Sequence, residues 1–169
     1  MPTRKRQSTP ETPEPRWLTT AQIEAWKAIS LLVNCLPTAL DAQLRRDSRL
    51  SYVEYYVLAG LSDQPGYTMR MSKLAMLANS ELSRLSHLLG RLEKRGLVRR
   101  EPDPADGRFT NAILTDAGHA HLVAAAPNHV ALVRHLVIDA LDDSELRAFH
   151  GSIDKIVARI DDTLTTGEC

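Results

Sequence analysis

Residues 71–118 read MSKLAMLANSELSRLSHLLGRLEKRGLVRREPDPADGRFTNAILTDAG, and the fold turns on how this stretch divides. From Ser80 to Arg95, Leu82, Leu85, Leu89 and Leu92 recur at three- and four-residue steps. On a wheel of about 100° per residue they share one arc, which predicts an amphipathic helix with those leucines as its core face. Gly96 ends it, because glycine adopts the left-handed C-cap conformation without steric cost. Two short segments follow, Leu97 to Glu101 and Phe109 to Leu114, and the turn-rich Pro102 to Gly107 between them predicts a β-hairpin. Ser72 to Ala78 predicts a shorter helix just ahead. A short helix, a longer helix and a two-stranded ribbon in direct succession are the layout of a winged helix-turn-helix.

The flanks are helical. Upstream, Ser51-Tyr52-Val53-Glu54 is a capping box opening a helix through about Leu61, and Asp63 to Gly66 stops it. Before that, Thr19 or Thr20 caps a long helix with Ile23, Trp26, Ile29, Leu32, Val33, Leu36, Leu40 and Leu44 at helical spacing, and Pro37 is expected to kink it. Downstream, Thr115-Asp116 caps a helix containing Pro127, and Asp142-Asp143-Ser144-Glu145 opens a last one through about Leu164. The fold class is therefore mainly α with a small β-hairpin wing: a winged helix-turn-helix with an added helical layer.

Charge is distributed unevenly. The whole chain is neutral, yet Arg70 to Arg108 holds nine basic residues against five acidic ones. Beyond Asp139, seven carboxylates face only Arg147, Lys155 and Arg159. A basic middle with acidic ends suggests a polyanion-binding element on a differently employed scaffold. Pro2 to Arg16, with Arg4-Lys5-Arg6 and almost nothing apolar, reads as a solvated tail. No apolar run is long enough to span a bilayer and no secretory signal opens the chain, so a cytoplasmic protein without membrane contact is expected. Cys35 and Cys169 make no CxxC motif and read as a buried thiol and a frayed terminal one.

Catalytic and cofactor fingerprints are missing: there is no G-x-S-x-G, P-loop, H-E-x-x-H or dinucleotide motif. His119, His121, His129 and His135 lie at gaps of two, eight and six, which do not stack metal ligands on one helix face. No enzyme, cofactor or metal site is expected. The outer side of the Ser80 to Arg95 helix collects Ser80, Ser83, Arg84, His87, Gly90, Arg91 and Lys94. Cations, short donors and a residue without a side chain suit a major groove, although a solvated face has a similar composition. At the hairpin tip, Asp106 stands two residues before Arg108 and can hold its guanidinium extended. Such an arginine suits the narrow, negative minor groove; an exposed ion pair of little weight is the other reading.

Asp106-Gly107-Arg108 followed by Ile113-Leu114-Thr115-Asp116-Ala117-Gly118 resembles the wing of the MarR family of bacterial transcription regulators, an Asp, any residue and an Arg before a strand ending Leu-Thr. Leu50 to Leu58, Met71 to Ala75, Leu82 to His87 and Arg91 to Val98 add to the resemblance, which runs from about Trp17 to Leu164. It implies a homodimer built from the first helix and the last two, a recognition helix in the major groove and Arg108 in the minor groove. The expected organisation is a disordered tail (1–16), an N-terminal dimerisation helix (17–48), a winged helix-turn-helix DNA-binding domain (49–118) and C-terminal dimerisation helices (119–165). The expected DNA contacts are Ser80, Ser83, Arg84, His87, Arg91, Lys94, Asp106 and Arg108 on a pseudo-palindromic operator.

The resemblance also implies a repressor released by a small aromatic or phenolic ligand, for which Trp26, Ser30, Asn34 and Tyr56 are the candidates. Interface core is the other reading of Trp26 and the tyrosines. Glu81 and Leu82 stand where many members carry serine or basic residues; Glu81 is expected to cap its helix. The alternative function is a helical protein-interaction or metal-sensing module without enzymatic activity.

Overall fold

The computed structural model describes residues 15–166. The 1–14 part of the expected tail and Cys169 lie outside them. The elements are α1 (Thr20–Ser48), α2 (Tyr52–Ser62), β1 (Thr68–Arg70), α3 (Met71–Leu77), α4 (Leu82–Lys94), β2 (Val98–Pro102), β3 (Thr110–Leu114), α5 (Asp116–Leu136) and α6 (Asp143–Thr166). The chain divides into two compact units at Leu36 and Pro37, both within α1.

Local chemistry sets the boundaries. Thr19 rather than Thr20 caps α1: its amide donates to Gln22 Oε1 (2.9 Å) and its hydroxyl accepts from the Gln22 amide (3.4 Å). Ser51 and Glu54 form the anticipated capping box, and the Asp142 and Glu145 side chains do the same at the start of α6. Gly96, at φ 72°, follows α4 in the left-handed region.

The sheet is larger than the anticipated hairpin. β1 joins it, giving three antiparallel strands in the order β1-β3-β2, with Thr68 opposite Ile113 and Val98 opposite Leu114. Helices and sheet bury a single core that includes the fully buried Leu50, Val57, Leu58, Leu61, Leu74, Leu85, Leu89, Leu92 and Val98. α5 starts directly on this core: the Thr115 hydroxyl donates to the Gly96 carbonyl (2.7 Å) and accepts from the Gly118 amide (3.0 Å). Gly118 packs so closely on the Leu97 carbonyl that no Cβ fits there.

Three expectations are corrected. Leu82 is exposed rather than core, because it is the first residue of α4, with no preceding helical turn to pack over it, and lies at the cleft beside the wing; Leu88 is buried instead. Glu81 occupies the N-cap position of α4 with extended backbone, but its carboxylate makes no capping hydrogen bond. Cys35 is an exposed thiol, not a buried one, since α1 up to Leu36 lies outside the core of this chain.

Candidate nucleic-acid interface

α4 is amphipathic in the strict sense. Leu85, Leu88, Leu89 and Leu92 are buried, while Ser83, Arg84, His87, Arg91 and Lys94 are exposed. Ser80 precedes the helix, half-buried, with its hydroxyl donating to the Glu81 carbonyl (3.3 Å). Gly90 does not open the outer face: a Cβ there would lie 4.0 Å from Arg100 Nη2, on the side of the hairpin.

Ion pairs sort the cations of the basic segment. Glu54, buried in α2, receives the Ser51 amide on one oxygen and Arg91 Nε and Nη2 (both 3.3 Å) on the other. The residue that caps α2 thus also tethers an expected DNA contact. Arg100 donates twice to Glu93 Oε2 (3.1 and 2.6 Å) and once to the Ser86 hydroxyl (3.2 Å), fixing the hairpin to α4. Arg100 holds the Glu93 carboxyl below the usual carboxylate range through these bonds. Within the basic segment, Lys73, Arg84 and Lys94 have no ion-pair partner among the described residues, so their charge is available to phosphate or base edges.

The wing tip has the geometry anticipated. Asp106 Oδ2 accepts from Arg108 Nη2 (2.7 Å), Oδ1 accepts from Nε (3.0 Å) and from the Arg108 amide (3.1 Å). The Arg108 side chain is 85% exposed, so its guanidinium stands off the ribbon while the carboxylate fixes its direction. The hydrogen bonds from Arg108 push the Asp106 carboxyl below its ordinary range.

The root of the wing carries a second arrangement that the sequence reading missed. Asp103, only 8% exposed, accepts from Arg70 Nε (2.6 Å) and from the Ala105 amide (2.9 Å). The Arg70 guanidinium also lies over the Phe109 ring, 4.6 Å from its centroid. The Ala105 amide first, then Arg70, holds the Asp103 carboxyl below its ordinary range. Arg70 was visible in the charge count and Asp103 in the turn, but their meeting depends on β1 pairing with β3.

Of the ligand candidates, Trp26 is exposed, the Ser30 hydroxyl donates to the Trp26 carbonyl (2.9 Å) and Asn34 Nδ2 donates to the Ser30 carbonyl (2.7 Å). Tyr56, on α2, lies beside Tyr52 and lines a groove with Val53 and Leu77. The histidines pack separately: His119 stacks on Tyr67, His121 Nε2 lies 2.8 Å from the Ser48 carbonyl, and His129 lies against Tyr55. Among the described residues no group of three or more His, Cys, Asp or Glu is placed to hold a metal ion, and no helix is long and apolar enough to cross a membrane.

Comparison with known proteins gives a consistent result. The family model described as "MarR family" matches residues 50–110. The crystal structure of Sco3205, a MarR family transcriptional regulator from Streptomyces coelicolor in complex with DNA, is similar with a TM-score of 0.81 at 42% identity, covering 87% of this chain and 91% of that one. AbsC, a MarR family transcriptional regulator from the same organism, is similar with a TM-score of 0.83 at 35% identity, covering 87% of this chain and 99% of that one. Transcriptional regulator HosA of Escherichia coli O111:H- is 41% identical over 78 residues, which are 46% of this chain and 56% of that relative's length.

Proposed function

The chain belongs to the MarR family, and from that premise we propose that it is a sequence-specific transcription regulator that binds double-stranded DNA as a homodimer. It is a regulator and not an enzyme. The observation that carries the proposal is the pairing of an exposed α4 face, whose Arg84 has no ion-pair partner among the described residues, and a wing whose Arg108 is held outward by Asp106. Ser83, Arg84, His87, Arg91 and Lys94, with Ser80 at the helix entrance, read the major groove, and Arg108 enters the minor groove. The relative Sco3205 was solved with DNA, which supports the same substrate here.

The homodimer rests on two apolar stripes that stand exposed among the described residues. One is Ile23, Trp26, Ile29 and Leu32 on α1; the other is Phe149, Ile153, Ile156, Val157 and Ile160 on α6. A two-fold dimer calls for a pseudo-palindromic operator with half-sites about one helical turn apart. Blocking such an operator is repression, and a small aromatic or phenolic ligand, received by Trp26, Ser30, Asn34 and Tyr56, is the proposed signal for release. The working compartment is the cytoplasm.

Selection of bound duplexes from a random pool, followed by a salt titration of the winner, tests the reading. Enrichment of an inverted repeat whose affinity falls steeply with salt is expected. A pool that shows no enrichment, with no salt-dependent binding, would overturn it.

A further inference from the structure

Between α4 and the wing runs a cleft lined by Arg70, Ser72, Ser86, Arg108, Phe109 and Thr110. If α4 reads the major groove and Arg108 the adjacent minor groove, one sugar-phosphate strand must cross this cleft, because the two grooves of a duplex are separated by a backbone. We propose that Arg70 is a phosphate-binding residue, aimed into that cleft by Asp103 and Phe109. The inference rests on the DNA-binding reading above and adds a cation from outside the recognition helix and the wing tip.

The argument is one of orientation. A lysine or an untethered arginine on a short edge strand would spread over many rotamers, and binding phosphate would cost that freedom. Arg70 has already lost it. Its Nε donates to Asp103 Oδ2 at 2.6 Å and its guanidinium carbon lies over the Phe109 ring. Both contacts leave Nη1 and Nη2 without a hydrogen-bond partner among the described residues, and the side chain is 40% exposed. Asp103 is 8% exposed and does not line the cleft, so a phosphate arriving there meets the guanidinium and not the carboxylate. Arg100 also reaches this region, but Glu93 and Ser86 occupy its nitrogens. The Ser72 and Thr110 hydroxyls supply further donors beside the strand path.

The test uses the full chain and its selected duplex. Arg70→Gln should weaken binding about tenfold and reduce the salt slope by about one unit per protomer, the amount one phosphate contact contributes. In a scan of single neutral methylphosphonates along the duplex, one position per half-site should weaken the parent protein but leave Arg70→Gln unaffected. Arg70→Lys keeps the charge but loses the Nε bond, so it should retain the slope with weaker binding. Phe109→Leu, which leaves the cation in place, should do the same. An unchanged slope and additive methylphosphonate effects for Arg70→Gln, in a protein melting as the parent does, would make Arg70 a strap of the wing and overturn the inference. A slope lowered in Arg70→Lys as much as in Arg70→Gln, although the cation is kept, would overturn it as well. A parent protein that binds no duplex at all fails the functional reading itself, and the inference with it.

Discussion

At the scale of single residues, two arginines on the proposed interface are prepared differently, and their loss should be read differently. Arg84 has no carboxylate partner among the described residues, whereas Arg108 is held by three hydrogen bonds from its guanidinium to Asp106. Arg84→Ala should cost about 1 to 3 kcal/mol on the preferred operator and relax selection mainly at one position per half-site. Arg108→Ala should weaken binding to many sequences and lower the salt slope by about one unit per wing. Asp106→Ala should reproduce part of that loss without removing a cation; tighter binding to every duplex would instead make Asp106 a bystander. His129 gives a prediction about stability. Burial lowers its pKa, its ring lies 4.3 Å from that of Tyr55, and its Nδ1 is buried without a partner among the described residues. The unfolded chain takes up this proton near pH 6.5 while the folded chain resists it until lower pH, so stability is full above that value and falls as pH drops below it. Thermal melts between pH 7.5 and 5.5 should show this decline, and His129→Phe should flatten part of it; an equal decline in both proteins would assign the effect elsewhere.

At the scale of elements, the most constrained junction is the entry into α5. A methyl group at position 118 would collide with the Leu97 carbonyl oxygen, lie 2.9 Å from its carbon and 2.7 Å from Leu114 Cδ1, and backbone cannot step aside cheaply. Gly118→Ala should therefore destabilise the chain by about 3 kcal/mol in urea denaturation, despite the better helix propensity of alanine. At Gly60 the obstacle is only the end of the Leu77 side chain, which is partly exposed and can rotate. Gly60→Ala should change stability by less than about 1 kcal/mol, the steric cost and the helix gain offsetting one another. The elements legible in sequence were those whose cause is local. The Ser51 and Glu54 box, the Thr115 cap and the Asp142 and Glu145 box each act within three residues of themselves. β1 was illegible because Thr68-Met69-Arg70 is too short to show alternation and acquires its conformation only by pairing with Ile113, Ala112 and Asn111. The same distance in sequence hid the Arg70 to Asp103 contact and the tether of Arg91 to Glu54. The helical wheel placed the α4 core correctly at Leu85, Leu89 and Leu92, but it has no knowledge of where the helix begins, and so it misassigned Leu82.

At the scale of the whole molecule, the exposed stripe on α6 should report the oligomeric state. Sedimentation at micromolar concentration should give a dimer, and Ile156→Glu, which places a charge in the middle of Phe149, Ile153, Val157 and Ile160, should shift it towards monomer and weaken operator binding in parallel. A folded, stable monomer of the parent protein would contradict the proposed assembly. Strand order has a further consequence, for the timing of folding. β2 and β3 are joined by a short turn and can zip together quickly, but β1 must wait for β3, its central neighbour, across the whole of α3, α4 and the hairpin. During synthesis the ribosome releases α4 well before Thr110, so a nascent chain can hold the complete recognition helix while β1 has nothing to pair with. Arg70 then has neither Asp103 nor Phe109 beside it, so a premature copy with its helix formed still lacks the oriented cation that we propose binds phosphate.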